Sequence, residues 1–132
     1  MFADSQSPGT VQVSLEGDTI HHVYVGDQTD ATIVAATAAT DEIVGTLQAK
    51  QKPVLILSDF TGIGDQTQGA RDAMRSALST RYFDRIAAFG VPARLQVVGR
   101  LLLTLTGRGG RVRIFGTKED AMAWLREFVP SR

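Results

Sequence analysis

The architecture turns on the stretch Val54-Leu55-Ile56-Leu57-Ser58-Asp59-Phe60-Thr61-Gly62-Ile63-Gly64-Asp65. Four consecutive apolar residues directly after Pro53 fit a strand buried on both faces, the pattern of a parallel sheet. The Gly- and Asp-containing continuation from Ser58 to Asp65 reads as a loop. It leads into a helix whose apolar stripe is Ala70, Ala73, Met74, Ala77 and Leu78.

Upstream, Ile33, Ala36, Thr37, Thr40, Ile43, Val44 and Leu47 recur at three- and four-residue steps. That spacing marks one face of an amphipathic helix, with Thr29 as N-cap and Asp30 in its first turn. A turn at Gly26-Asp27-Gln28 precedes it. Before that turn, Val11–Leu15 and Thr19–Val25 form two β-rich runs around Glu16-Gly17-Asp18, which predicts a hairpin. Alternation along the second run points His21 and His22 to opposite faces, so the two histidines of the chain cannot share a metal.

Downstream, Arg85–Gly90 reads as a fourth strand, and a third helix runs from near Pro92 to Gly107. On a helical wheel Leu95, Val97, Val98, Leu101, Leu102 and Leu105 fill an arc of roughly 160°, wider than the ~100° stripe of a simple surface helix. This helix is expected to be deeply embedded or to meet a partner, and Leu103 falls on its other side beside Gln96 and Arg100. Arg111–Phe115 alternates as a fifth strand, after a Gly107-Arg108-Gly109-Gly110-Arg111 segment best explained by a helix C-cap and a tight turn. Thr117 caps a last helix with Ala121, Trp124, Leu125 and Phe128 on one face. The order β-β-α-β-α-β-α-β-α predicts an α/β fold, a mixed, mainly parallel five-stranded sheet with four helices. Residues 1–10 are expected to be a polar leader and 11–132 a single domain.

The 132 residues contain 14 Lys+Arg, 14 Asp+Glu and no cysteine. That length can bury one core without staples, and disulfides are excluded. The opening lacks the basic start and apolar run of a signal peptide, and Leu101–Leu103 falls far short of a membrane span, so a cytoplasmic protein without a transmembrane segment is expected. Charge is divided along the chain. Residues 1–66 hold nine acids and two lysines, whereas residues 67–132 hold twelve basic residues and five acids. The basic half favours an anionic partner, unless the fold sets acidic and basic elements side by side. Zero net charge argues against nucleic-acid binding.

Gly62-Ile63-Gly64-Asp65-Gln66-Thr67-Gln68-Gly69 follows a strand and opens a helix, yet misses the G-x-G-x-x-G spacing of a dinucleotide site. Its glycines are better explained by a loop before an N-cap at Asp65 or Thr67, in a place where an anion can meet helix N–H groups. Asp59 and Asp65, placed on that loop, are close enough in sequence to form a carboxylate pair, although turn-forming explains them better. No G-x-S-x-G elbow and no local His–carboxylate motif is present, so no catalytic residues, metal or cofactor are assigned.

Three segments carry a family resemblance. Phe83-Asp84-Arg85-Ile86-Ala87-Ala88-Phe89-Gly90 is similar to an F-x-R-I-A-V-V-G strand, Val112 to Leu125 to an R-V-F-x-x-x-x-E-A-x-x-W-L ending, and Gly26 to Asp30 to a G-x-x-T-x-E-D helix opening. On these the chain resembles the SpoIIAA-like branch of the STAS-like superfamily, itself related to CRAL-TRIO lipid-exchange domains, over roughly residues 11–129. STAS anti-anti-sigma proteins carry D-L-S-G and then D-S-S-G, with a phosphorylated serine at the helix start. Asp59-Phe60-Thr61-Gly62 resembles the first motif. Asp65-Gln66-Thr67-Gln68-Gly69 resembles the second in part, without its serines and with one residue inserted, which makes Thr67 the candidate phosphosite.

The resemblance implies a non-catalytic regulatory or protein-interaction module. Its contact loop would comprise Asp59, Thr61, Gly62, Gly64, Asp65 and Thr67. The alternative is a carrier of a small apolar or lipidic anion, with Arg94, Leu95, Val98, Arg100, Leu102 and Leu103 of helix 92–106 lining or gating a cavity. A cavity of a few hundred Å³ beneath that helix separates the carrier from the module, for which a dry core and an exposed apolar patch including Leu103 are expected. Self-association through the same helix would give a homodimer.

Overall fold

A computed structural model of the protein describes residues 9–106 and 110–129, with side chains throughout except at 98 and 101–106. The leader up to residue 8 and the C-cap expected at 107–109 lie outside the described residues. The order is β1 (Thr10–Glu16), β2 (Thr19–Gln28), α1 (Asp30–Ala49), β3 (Leu55–Gln66), α2 (Gln68–Thr80), β4 (Arg85–Phe89), α3 (Ala93–Thr106), β5 (Val112–Phe115) and α4 (Lys118–Arg126). The five strands form one sheet in the order β1-β2-β3-β4-β5. β1 pairs antiparallel with β2 through the expected hairpin, where Gly17 takes φ 62°, and every other pairing is parallel.

Two faces of the sheet bury two different cores. On one, Ile20, Val54, Ile56 and Phe83 pack with Leu47 of α1, and Tyr24 and Ile63 pack with Ile33 of α1 and Ala70 of α2. On the other, Leu57 and Ala87 pack against Ala121, Trp124 and Leu125 of α4. The unbroken run at 55–57 therefore does feed both faces, as continuous hydrophobicity requires. Arg85 lies over the Trp124 ring at 4.5 Å and donates to the Trp124 carbonyl at 2.7 Å, closing the α4 face.

Local chemistry sets the helix starts. Thr29 caps α1 through a reciprocal box with Thr32, Thr67 caps α2 by accepting from the Ala70 N–H, and Thr117 caps α4 by accepting from the Asp120 N–H. Gln28 is fully buried. Its amide nitrogen reaches the carbonyls of Thr10, Val25 and Gly26 at 3.1 Å each, and its oxygen accepts from the Thr32 hydroxyl at 2.8 Å. One side chain thus ties β1, the end of β2 and the start of α1 together, satisfying groups that burial would otherwise penalise.

Two expectations are corrected. The segment Ser58–Asp65 is not a loop, and Gly26-Asp27-Gln28 is not a turn. β3 continues to Gln66 beside an equally prolonged β2, with Val25 opposite Gly62, Gly26 opposite Ile63 and Gln28 opposite Gln66, after register shifts on either side. The glycines that suggested a loop allow this close approach. A Cβ on Gly64 would overlap the Asp27 carboxylate and stand 3.1 Å from the Gly26 carbonyl carbon. In α3 the wide apolar arc does not turn wholly inward, because Val97 is 72% exposed.

Candidate functional site

The side chains that β2 to β5 direct toward α1 and α2 form rows across the sheet. Ile20, Ile56, Ile86 and Val112 are successive register partners, and His22, Ser58, Ala88 and Ile114 form the next row. Beyond them Tyr24 and Phe60 stack with ring centroids 4.4 Å apart. Between these rows and the helices lies a cavity of about 210 Å³. Small residues open it: Ala36 of α1, Ala77 of α2, Ala88 of β4 and Gly99 of α3 all line it, where bulkier neighbours would close the gap. Its exposed lining residues are Asp41, Arg81 and Tyr82, so the mouth lies between α1 and the end of α2.

The polar groups of the lining are few. His22 Nε2 and Thr40 Oγ1 are 2.9 Å apart, and the Thr40 hydroxyl donates its single hydrogen to the Ala36 carbonyl at 2.7 Å. Thr40 therefore accepts from His22, which fixes the Nε2–H tautomer and leaves Nδ1 as an acceptor. Burial, with a smaller contribution from His21, pushes the His22 pKa down to about 4, so the ring is neutral near pH 7. Burial also pushes the Tyr24 hydroxyl up to about 12. At the mouth Arg81 and Asp41 pair at 3.3 Å. Tyr82 donates to Asp84 at 2.7 Å, and the other Asp84 oxygen accepts from the Val54 N–H at 2.7 Å.

This set offers hydrogen bonds rather than a nucleophile coupled to a base, since no hydrogen bond joins Ser58 to His22 among the described residues. His21 points to the other face, 3.6 Å from Glu16, as the alternation of β2 requires. Among the described residues no three His, Asp or Glu side chains gather where an ion could sit.

Sequence comparison matches residues 19–126 to the SpoIIAA-like family model. The chain belongs to the SpoIIAA-like family. A SpoIIAA-like fold is also seen in the crystal structure of an uncharacterized DUF3478-family protein from Shewanella loihica PV-4. That protein superposes with a TM-score of 0.70 at 19% sequence identity, over 93% of this chain and 99% of the other. No curated protein matches the chain significantly. The SpoIIAA-like family model thus covers β2 to α4, which includes every element lining the cavity.

The site residues expected from the sequence separate in this SpoIIAA-like chain. Asp59 accepts from the Thr61 N–H and hydroxyl, and the Asp65 N–H donates to Asp27 at 2.8 Å. Asp59 and Asp65 stand six residues apart on one strand, roughly 20 Å at ~3.3 Å per residue, and cannot act as a carboxylate pair. Gly62 and Gly64 face the β2 backbone, and Thr67 is exposed at the start of α2 with its hydroxyl occupied by the cap. Arg94 joins the two groups of residues, donating to the Gly64 carbonyl at 3.1 Å and standing 3.9 Å from Asp65. Leu95 lines the cavity, but neither Arg94 nor Arg100 does. The side chains of Val98, Leu102 and Leu103 lie outside the described residues. Sequence reasoning missed Ser58, His22 and the alanines. Their signal was a polar residue two places after Ile56 on the same strand face, and alanine wherever a helix stripe meets the sheet.

Proposed function

We propose that this protein is a non-catalytic binding module that holds a small apolar molecule between its sheet and α1, α2 and α3. One observation carries the reading: the largely apolar cavity of about 210 Å³ at the centre of the fold, opening between Asp41, Arg81 and Tyr82. Its size lies between the ~150 Å³ that admits benzene and the ~300 Å³ at which drug-sized pockets begin.

Native mass spectrometry of protein purified without detergent, beside the same sample denatured, tests this reading. The expected result is a mass excess that disappears on denaturation. A clean apo mass, together with no amide chemical-shift changes on adding ethylbenzene, would overturn it. Val97, 72% exposed on α3, favours a second reading in which that helix docks a protein partner or a second copy of the chain. That reading expects Val97→Asp to change the oligomeric state or partner capture without altering ligand content.

A further inference from the structure

Resting on that binding reading, the cavity's polar lining indicates the chemistry of what it holds. Ser58 is 3% exposed, lies on the face of β3 shared with Ile56 and Phe60, and lines the cavity. Its hydroxyl makes no hydrogen bond within the described residues, although the strand around it is fully paired to β2 and β4. Among the described residues no side-chain nitrogen or oxygen is both sealed from open space and unpartnered. In a residue so deeply buried, the open space reached by the Ser58 hydroxyl is the cavity.

His22 is the register partner of Ser58 on β2 and faces the same way. With Nε2–H given to Thr40 and the Thr40 hydrogen given to Ala36, the remaining His22 nitrogen carries a lone pair and no proton. Two groups at facing register positions thus await a ligand, a hydroxyl that donates or accepts and an acceptor, and the Tyr24 hydroxyl, likewise without a hydrogen bond among the described residues, lines the cavity beside them. Asp41 and Arg81, the charged residues of the lining, are paired with each other at the mouth. A carboxylate carried inward would meet a lone pair and, among the described residues, no cation, with only neutral hydroxyls to replace its hydration. A ligand hydroxyl satisfies both groups, donating to one and accepting from the other.

We propose that the cavity selects an uncharged ligand with an apolar body and a single hydroxyl group, anchored by Ser58 Oγ and His22 Nδ1. This replaces the anionic ligand expected from the sequence, because the arginines that suggested it, Arg94 and Arg100, do not line the cavity.

Three probes of matched shape separate the possibilities at pH 7.5: 4-ethylphenol, ethylbenzene and 4-ethylbenzoate, each titrated into the full chain and followed by amide chemical shifts. The expected order is 4-ethylphenol tightest, ethylbenzene roughly 10- to 100-fold weaker, as for loss of two net hydrogen bonds, and 4-ethylbenzoate weakest. Ser58→Ala should cut the preference for the phenol by roughly 3- to 10-fold, as for one of its two hydrogen bonds, while leaving ethylbenzene binding unchanged, which also shows that the variant is folded. Tightest binding by 4-ethylbenzoate, equal binding of 4-ethylphenol and ethylbenzene, or equal losses for both in Ser58→Ala would overturn this inference and leave the apolar-binding reading standing. Failure of all three probes to bind would overturn both.

Discussion

Acid should weaken this fold through His22 by an amount that its surroundings fix. The ring's pKa is lowered from 6.5 to about 4, chiefly because its charged form would lie buried between the sheet and α1. Above pH 6.5 the ring is neutral in both folded and unfolded chains, and its contribution to stability is fully present. Between 6.5 and about 4 the unfolded chain takes up a proton that the folded chain refuses, so stability falls by up to about 1.4 kcal/mol per pH unit. Below about 4 both states are protonated and the slope vanishes. The full loss is roughly 3 kcal/mol, a large share of the ~5–15 kcal/mol typical of a domain. Urea melts followed by Trp124 fluorescence at pH 7.5, 6.5, 5.5 and 4.5 measure it, with His22→Gln as reference because the Gln amide can still donate to Thr40. Wild type should lose about 2 kcal/mol more than His22→Gln between pH 6.5 and 4.5, a midpoint drop of about 1–2 M greater. Parallel curves for the two proteins would refute the argument, since carboxylates titrating elsewhere affect both equally.

Two further outcomes follow from backbone contacts. Gly64→Ala should destabilise by about 2 kcal/mol, because the new methyl displaces the Asp27 carboxylate that accepts from the Asp65 N–H, and an unchanged urea midpoint would contradict this. Asp84→Ala should cost about 1–3 kcal/mol by leaving the N–H of fully buried Val54 without its acceptor. Asp84→Asn, whose side-chain oxygen still accepts, should recover much of that loss in the same melts.

Element types and order were legible in the sequence because the helices carry their own period and three of them a threonine cap. Thr29, Thr67 and Thr117 sit where a hydroxyl must meet an N–H, and the stripes at Ile33–Leu47 and Ala121–Leu125 face the sheet as their spacing demands. The extent of β3 was not legible. Asp59, Thr61, Gly62 and Gly64 have turn-forming chemistry, and only the β2 backbone lying alongside converts them into a strand. The cavity was hidden for a different reason. It arises from side-chain volume missing at Ala36, Ala77, Ala88 and Gly99, residues far apart in the chain, and no local pattern reports such a shared deficit. Ser58 and His22 were readable as to face but not as to partner, since their pairing needs the β2–β3 register.

The strands lie side by side in the order in which they are translated, from β1 at one edge to β5 at the other. No strand has to be inserted between two earlier ones, so the growing chain can add each new strand to an edge already formed. On a ribosome, β1 to α2 would be able to pair before β5 and α4 emerge, and the face carrying α4 would be the last to be covered. Pulse-labelled hydrogen exchange on stalled chains of increasing length should therefore find β2 and β3 protected while β4 still lacks its β5 neighbour. Protection appearing only in the full-length chain would show instead that assembly waits for the C-terminal helix.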